Sequence, residues 1–150
     1  DIEPIIKSVV DDFNNIYKLK RGINISYSND GKNKYLINGI ENRIEQIVAN
    51  LLDNAISFSG DNKDVIVKVS KLENDKVSIN ILDEGQGFKE KDTNKIFNRF
   101  YSNRPDKFGQ HSGLGLNIVK NLIDLHNATI KASNRKDQKG ASMEIMFPKI

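Results

Sequence analysis

The chain has no cysteine among its 150 residues. That removes disulfides, thiolate zinc sites and a cysteine nucleophile, and it agrees with a reducing cytosol. No apolar run approaches membrane-spanning length, and no signal-peptide pattern opens the sequence. There is no internal repeat, low-complexity segment or linker. The basic clusters and interleaved aromatics of a nucleic-acid surface are missing too, because the lysines are scattered and alternate with acids. No nucleic-acid partner and no membrane contact are therefore expected of this stretch, and its net charge of +3 reads as general solubility. What is present, 37% hydrophobic and 29% charged residues, fits one globular domain with one core. The sequence opens on Asp1, not Met, and reads as a piece of something longer.

The most informative stretch runs from Gln46 to Ser57. Ile44, Ile47, Val48, Leu51, Leu52 and Ala55 recur at helical spacing and form an apolar stripe. Gln46, Asn50, Asn54 and Ser57 line the other side. Asparagine is a mediocre helix former, so a repeated Asn stripe needs a reason. One is a solvated polar face. The other is that carboxamide oxygens are hard, neutral ligands suited to Mg²⁺, which is usually held by a few protein oxygens plus substrate phosphates.

Taken in order, the chain predicts an amphipathic helix over residues 2–20, with Pro4 in its first turn and Gly22 as its stop. Ile23–Tyr27 alternates as a strand, Asn29-Asp30-Gly31 signals a turn, and Tyr35-Leu36-Ile37 predicts a short second strand. The Asn-striped helix follows and ends at Ser59–Asn62. Val65, Val67 and Val69, then Val77, Ile79 and Ile81, predict a hairpin around Glu73–Asp75 with one buried face. Residues 88–112 lack one clean period, apart from a helical piece at 94–101. A loop of that length is usually a lid, a binding loop or disordered. A helix opening at Gly113 follows, with Leu116, Val119, Leu122, Ile123 and either Leu125 or His126 on its faces. Two closing strands, 129–133 and 142–147, flank Gly140. Hairpins without regular βαβ alternation predict an α+β two-layer sandwich.

Three more motifs carry chemistry. Asp83-x-Gly85-x-Gly87 stands at a strand end, where the glycines let the backbone turn and a flat ligand lie close. The carboxylate can accept a hydrogen bond from an exocyclic amine such as that of adenine; a plain turn is the alternative. Gly113-Leu114-Gly115-Leu116 opens a helix whose free amides and dipole attract phosphate, although small residues there also serve packing. Arg99, between Ile96-Phe97 and Phe100-Tyr101, is placed to neutralise a phosphate while the aromatics anchor the loop.

Together, Asn50 and Asn54, Asp83-x-Gly85-x-Gly87, Ile96-Phe97-x-Arg99-Phe100-Tyr101 and Gly113-x-Gly115-Leu116 resemble, in order and spacing, the asparagine, first glycine, phenylalanine and second glycine boxes of sensor histidine kinase ATP-binding domains. Gly140-Ala141-Ser142 resembles the last glycine box. The Ser57-Phe58-Ser59 ending and Arg104-Pro105-Asp106 resemble the acid- or envelope-sensing kinases of alphaproteobacteria. The resemblance covers essentially all of residues 1–150. It implies the Bergerat fold, a mixed five-stranded sheet packed against three helices with an ATP lid at about 88–112, of which 102–112 cover the nucleotide. It implies that Asn50 and Asn54 hold Mg²⁺ and reach the phosphates of ATP, with Gln46 near them. Asp83 would bind the adenine amino group, supported by Ser142. Gly85 and Gly87 would shape the adenine pocket, to which Ile96 and Phe97 are also assigned. Arg99 would face the phosphates and Tyr101 the nucleoside. The amides of Ser112, Gly113, Leu114, Gly115 and Leu116 would cradle the phosphate chain.

Ser57 stands where the family often has a cation, and Arg104 or Lys107 could substitute for it. Only His111, in the expected lid, and His126, at a helix end, are present, and neither has the acidic helical context of a phosphoacceptor. His126 reads as a capping or packing residue. The resemblance therefore implies a catalytic half: it presents the γ-phosphate to a histidine on the parent protein's dimerisation domain, and a response regulator is the downstream partner. Its place would be the cytoplasmic end of a membrane-bound sensor. Two other readings are a Bergerat-fold serine kinase or ATPase switch, and a degenerate docking module.

Overall fold

A computed structural model describes residues 1–32, 34–88, 96–97 and 114–150. Its first helix, α1 (Glu3–Arg21), begins with Pro4 in the first turn and Glu3 near the positive end of the dipole. It stops at Gly22, whose φ of 64° is the left-handed cap, with its N–H bonded to the Lys18 carbonyl at 3.0 Å. There follow β1 (Asn24–Asn29), α2 (Glu41–Phe58), β2 (Asp64–Lys71), β3 (Val77–Leu82), α3 (Leu114–Leu125), β4 (Thr129–Asn134) and β5 (Ala141–Phe147).

The strands form one sheet in the order β1-β2-β3-β5-β4. β1 and β2 are parallel, joined through α2 as a single βαβ unit, and the other neighbours are antiparallel. One face is apolar by simple alternation: Val65, Val67, Val69, Val77, Ile79, Ile81, Met143, Ile145 and Phe147 are all buried. Ile6, Val9 and Val10 of α1, the α2 stripe, and Val119 and Ile123 of α3 join the same core. The result is the α+β two-layer sandwich that the residue patterns predict, with the mixed five-stranded sheet that the resemblance implies.

The predicted strand at Tyr35–Ile37 is not formed. The outer edge of β1 is taken by α1: Asn14 Nδ2 donates to the Ile25 carbonyl at 2.7 Å, and the Ile25 N–H donates to Asn14 Oδ1 at 2.8 Å. A side-chain amide thus stands in for a neighbouring strand. Tyr35 is buried instead as an anchor, its hydroxyl on Asp30 Oδ1 at 2.5 Å and its carbonyl accepting from the Ile2 N–H. At the end of α3 the period resolves in favour of His126, which is 7% exposed, against 61% for Leu125.

Candidate functional site

α2 sets one side of the site. Its apolar stripe is buried as predicted, but its polar stripe is not a solvated face. Asn54 and Ser57 are each 5% exposed, and Gln46 and Asn50 are half-buried. The Ser57 hydroxyl turns back one helical turn and donates to the Asp53 carbonyl at 2.8 Å. Both ends of the helix are held from elsewhere. At the start, His126 Nε2 accepts the Ile40 N–H at 3.2 Å while its Nδ1 lies 2.7 Å from the Leu122 carbonyl. That pairing fixes the neutral tautomer with the proton on Nδ1. At the far end α2 has no basic residue of its own. Arg21 supplies the charge, donating to the carbonyls of Ile56 and Ser59 at 2.8 and 2.7 Å.

β3 sets the other side. The alternation that buries Val77, Ile79 and Ile81 continues one step past the strand and buries Asp83, at 4% exposure. Its Oδ1 accepts the Gly85 N–H at 2.8 Å and the Ala141 N–H at 3.1 Å. Burial pushes this carboxyl above the ordinary range, opposed by those two N–H donors and by the Arg135 guanidinium. Oδ2 receives no hydrogen bond among the described residues.

The two sides meet at the glycine loop. A Cβ on Gly85 would lie 2.5 Å from the Phe58 carbonyl, the last residue of α2, and 3.1 Å from Asp83 Oδ1. Asn54 sits one turn before that contact. Gly87, at φ 80°, comes equally close to Asn134, whose side chain accepts the Phe88 N–H at 2.6 Å and donates to the Phe88 carbonyl at 3.2 Å. Three cavities lined by described residues lie elsewhere: two of about 510 and 390 Å³ beside residues 148–150, and one of about 320 Å³ between the starts of α1 and α2.

Ser142 is not placed beside Asp83. Its hydroxyl donates to Asn80 Oδ1 at 3.1 Å, because register pairs it with Leu82 and turns both to the opposite sheet face. The neighbour that does support Asp83 is Ala141, through its backbone. Ile96 and Phe97 are buried in the core at 1% and 7% exposure, and the Phe97 carbonyl accepts from Asn117 Nδ2 at 3.3 Å. Leu116 is buried, while a Cβ on Gly115 would meet nothing within 4 Å. Arg99, Tyr101, Arg104, Lys107, His111, Ser112, Gly113 and the side chain of Leu114 lie outside the described residues, as does nearly all of the expected lid. Sequence reasoning missed Asn134, Arg135 and Ala141 as supports of the glycine loop, and no local signal marks the first two.

Inward carboxamides on a helix, a buried carboxylate at the end of the facing strand, and a helix-backed mixed sheet together define an ATPase domain of the Bergerat type. The model of the family described as histidine kinase-, DNA gyrase B-, and HSP90-like ATPase matches residues 39–150, and the chain belongs to that family. Sensor protein ChvG of Agrobacterium fabrum, an alphaproteobacterial relative, is 35% identical over 147 residues, covering 93% of this chain. The chain spans 24% of that relative's length. A nucleotide-free catalytic domain of the histidine kinase ThkA is 25% identical, with a TM-score of 0.82 over 97% of this chain and 91% of that one. The same kinase in complex with the response regulator protein TrrA gives a TM-score of 0.81 at 23% identity, over 100% of this chain and 41% of that one. That last likeness is one of fold. The curated relatives are sensor histidine kinases, and the domain is of their ATP-binding, catalytic kind.

Proposed function

We propose that residues 1–150 form the catalytic domain of a two-component sensor histidine kinase, which binds MgATP and presents its γ-phosphate to a histidine on the parent protein's dimerisation domain. The observation that carries this is Asp83: a buried carboxylate with one oxygen held by two backbone donors, beside a glycine loop that abuts the Asn-bearing helix. An acceptor so desolvated suits an exocyclic amine, as on adenine. Asn54, buried, and Asn50, half-buried, supply neutral oxygens of the kind Mg²⁺ takes.

ATP supplies the phosphoryl group and Mg²⁺ neutralises its charge; the protein positions them. Asn50 and Asn54 hold the metal end, with Gln46 as a polar neighbour and Ser57 at the same end. Asp83, Gly85 and Gly87 hold the base. Ile96 and Phe97 fix the root of the lid in the core. Arg99 faces the phosphates, Tyr101 the nucleoside, and the amides from Ser112 to Leu116 cradle the phosphate chain. By the analogy of ThkA with TrrA, a response regulator is the downstream partner, and the domain works at the cytoplasmic end of its parent.

The test is titration of the chain with a non-hydrolysable ATP analogue, with and without Mg²⁺, beside Asn54→Ala and Asp83→Ala. The wild type should bind, Asn54→Ala should lose the Mg²⁺ dependence, and Asp83→Ala should lose binding. Addition of a histidine-bearing dimerisation domain and ATP should then yield acid-labile phosphate on that domain. A wild type that does not bind, or phosphate that is acid-stable on serine, would overturn the proposal.

A further inference from the structure

We infer that Arg135 is a positioning residue for nucleotide recognition: from the β4–β5 hairpin its guanidinium grips the backbone of Asp83 and sets a fixed positive charge behind that carboxylate. The inference rests on the reading of Asp83 as the adenine acceptor. Arg135 Nη1 donates to the Asp83 carbonyl at 3.2 Å. The rest of the guanidinium is locked by Asp137, with Nε on Oδ1 at 3.0 Å and Nη2 on Oδ2 at 2.8 Å. Such a fork leaves little freedom in the arginine. The Arg135 side chain is 5% exposed although its partner Asp137 is 69% exposed, so the charge is held inward from a solvated base.

The hairpin is shaped to bring it there. The Arg135 N–H bonds to the Gly140 carbonyl at 2.9 Å, and a Cβ on Gly140 would lie 2.0 Å from the Asp83 carbonyl oxygen and 3.0 Å from Arg135 Cδ. Only glycine permits that approach. Asn134, the preceding residue, grips Phe88 through both its N–H and its carbonyl. The two neighbours thus hold both ends of the loop from Asp83 to Phe88. Among the described residues, the other charges around Asp83 are Glu84, which accepts the Asp64 N–H at 2.6 Å, and Asp137 beyond the guanidinium. Among the described residues, Arg135 is the cation that joins the Gly85 and Ala141 N–H groups in favouring the ionised form of Asp83 against its burial.

The experiment compares wild type, Arg135→Gln and Arg135→Lys in two measurements. The first is the titration of the Asp83 carboxyl, followed by its carbon NMR shift without nucleotide. The second is the affinity for the Mg²⁺–ATP analogue across pH. Arg135→Gln should raise the Asp83 midpoint and, by releasing the Asp83 backbone, weaken binding of the analogue about tenfold. Arg135→Lys should restore most of the midpoint but less of the affinity, since it keeps the charge and loses the fork. An unchanged Asp83 midpoint and an unchanged affinity in Arg135→Gln would overturn the inference while leaving nucleotide binding intact. Failure of the wild type to bind would overturn the functional reading, yet the NMR titration would still judge Arg135. Should Arg135→Gln unfold, the Arg135→Lys comparison decides: equal affinity and midpoint to wild type would refute the role of the fork.

Discussion

Asp83→Asn should make the protein more stable while removing its adenine recognition. At this position a carboxyl is buried to 4% exposure, and burial is the largest influence on its titration, pushing it up against the pull of Gly85, Ala141 and Arg135. The upward direction means that the folded protein favours the neutral form relative to water. Asparagine is that neutral form at nearly the same size. Its carbonyl oxygen can keep both N–H bonds now made to Oδ1. Those bonds change from charged to neutral, at a loss of about 1 kcal/mol each, while the several kcal/mol typical of burying an ion are relieved. A net gain of about 1 kcal/mol follows, or about 2–4 °C in Tm for a chain of this size. The pH dependence has a definite sign. A carboxyl whose folded pKa is raised contributes stability that is fully present below its unfolded value, 3.8 here, and is lost as pH rises through the folded value. The variant has no such loss, so its advantage in Tm should be near zero in acid and grow as pH rises from 3.8 through the folded value. Asp30, where burial is outweighed by the Tyr35 hydroxyl and the Lys71 and Lys32 N–H groups, behaves in the opposite way but is common to both proteins. Thermal unfolding of the two across pH, followed by circular dichroism, measures the difference. A variant less stable than wild type at neutral pH, or an advantage independent of pH, would refute the reasoning. Nucleotide affinity should fall about 10- to 100-fold, because the new NH₂ faces an amine donor.

Asn14→Leu removes both bonds to the Ile25 backbone and leaves the edge of β1 without a partner; about 2 kcal/mol of stability should be lost in urea unfolding, with nucleotide affinity unchanged. Gly140→Ala drives a Cβ to 2.0 Å from the Asp83 carbonyl oxygen and should cost more than about 3 kcal/mol. Gly31→Ala is its control: the site is open, so the φ of 78° alone should cost about 1 kcal/mol. Equal losses in the two denaturation curves would contradict the packing at Gly140. His126→Phe keeps the ring but loses the bonds to Ile40 and Leu122, and should cost about 1–3 kcal/mol. Amide exchange in the first turn of α2 should quicken before the rest of the helix does.

The elements that were legible in the sequence are those whose cause is local. The α2 stripe, the Val65–Ile81 hairpin and the Gly22 stop each follow from the period or turn chemistry of their own residues, and all three stand in the structure. Tyr35–Ile37 failed because its fate depends on Asn14, more than twenty residues earlier, whose side chain occupies the strand edge that a second strand would need. The choice between Leu125 and His126 is a matter of one residue in a 3.6-residue period, and the residue turned inward is the one that can accept the Ile40 N–H just before α2, which leucine cannot. Ser142 lies a single step from the residue whose N–H bonds Asp83. On a strand one step is the whole thickness of the sheet, and Ala141, which carries no functional side chain to notice, was the residue on the correct face. Asn134 and Arg135 sit in a polar turn whose composition is that of any solvated hairpin.

Asp83 shows why a site like this can be found from sequence while its support cannot. By parity position 83 extends the row Val77, Ile79, Ile81, and an aliphatic residue there would simply lengthen the core. An acid in that row is a departure from the fold's own pattern, and such departures are visible without coordinates. The groups that make it tolerable are two backbone N–H donors, a glycine close enough to touch and an arginine whose charge is fixed by a solvated aspartate. Each of these is ordinary where it stands in the chain. Their meaning comes from β5 pairing with β3, which carries the hairpin beyond it to the end of a strand some fifty residues earlier. The acid can therefore be read from one line of residues, but the means of bearing it is a property of the sheet.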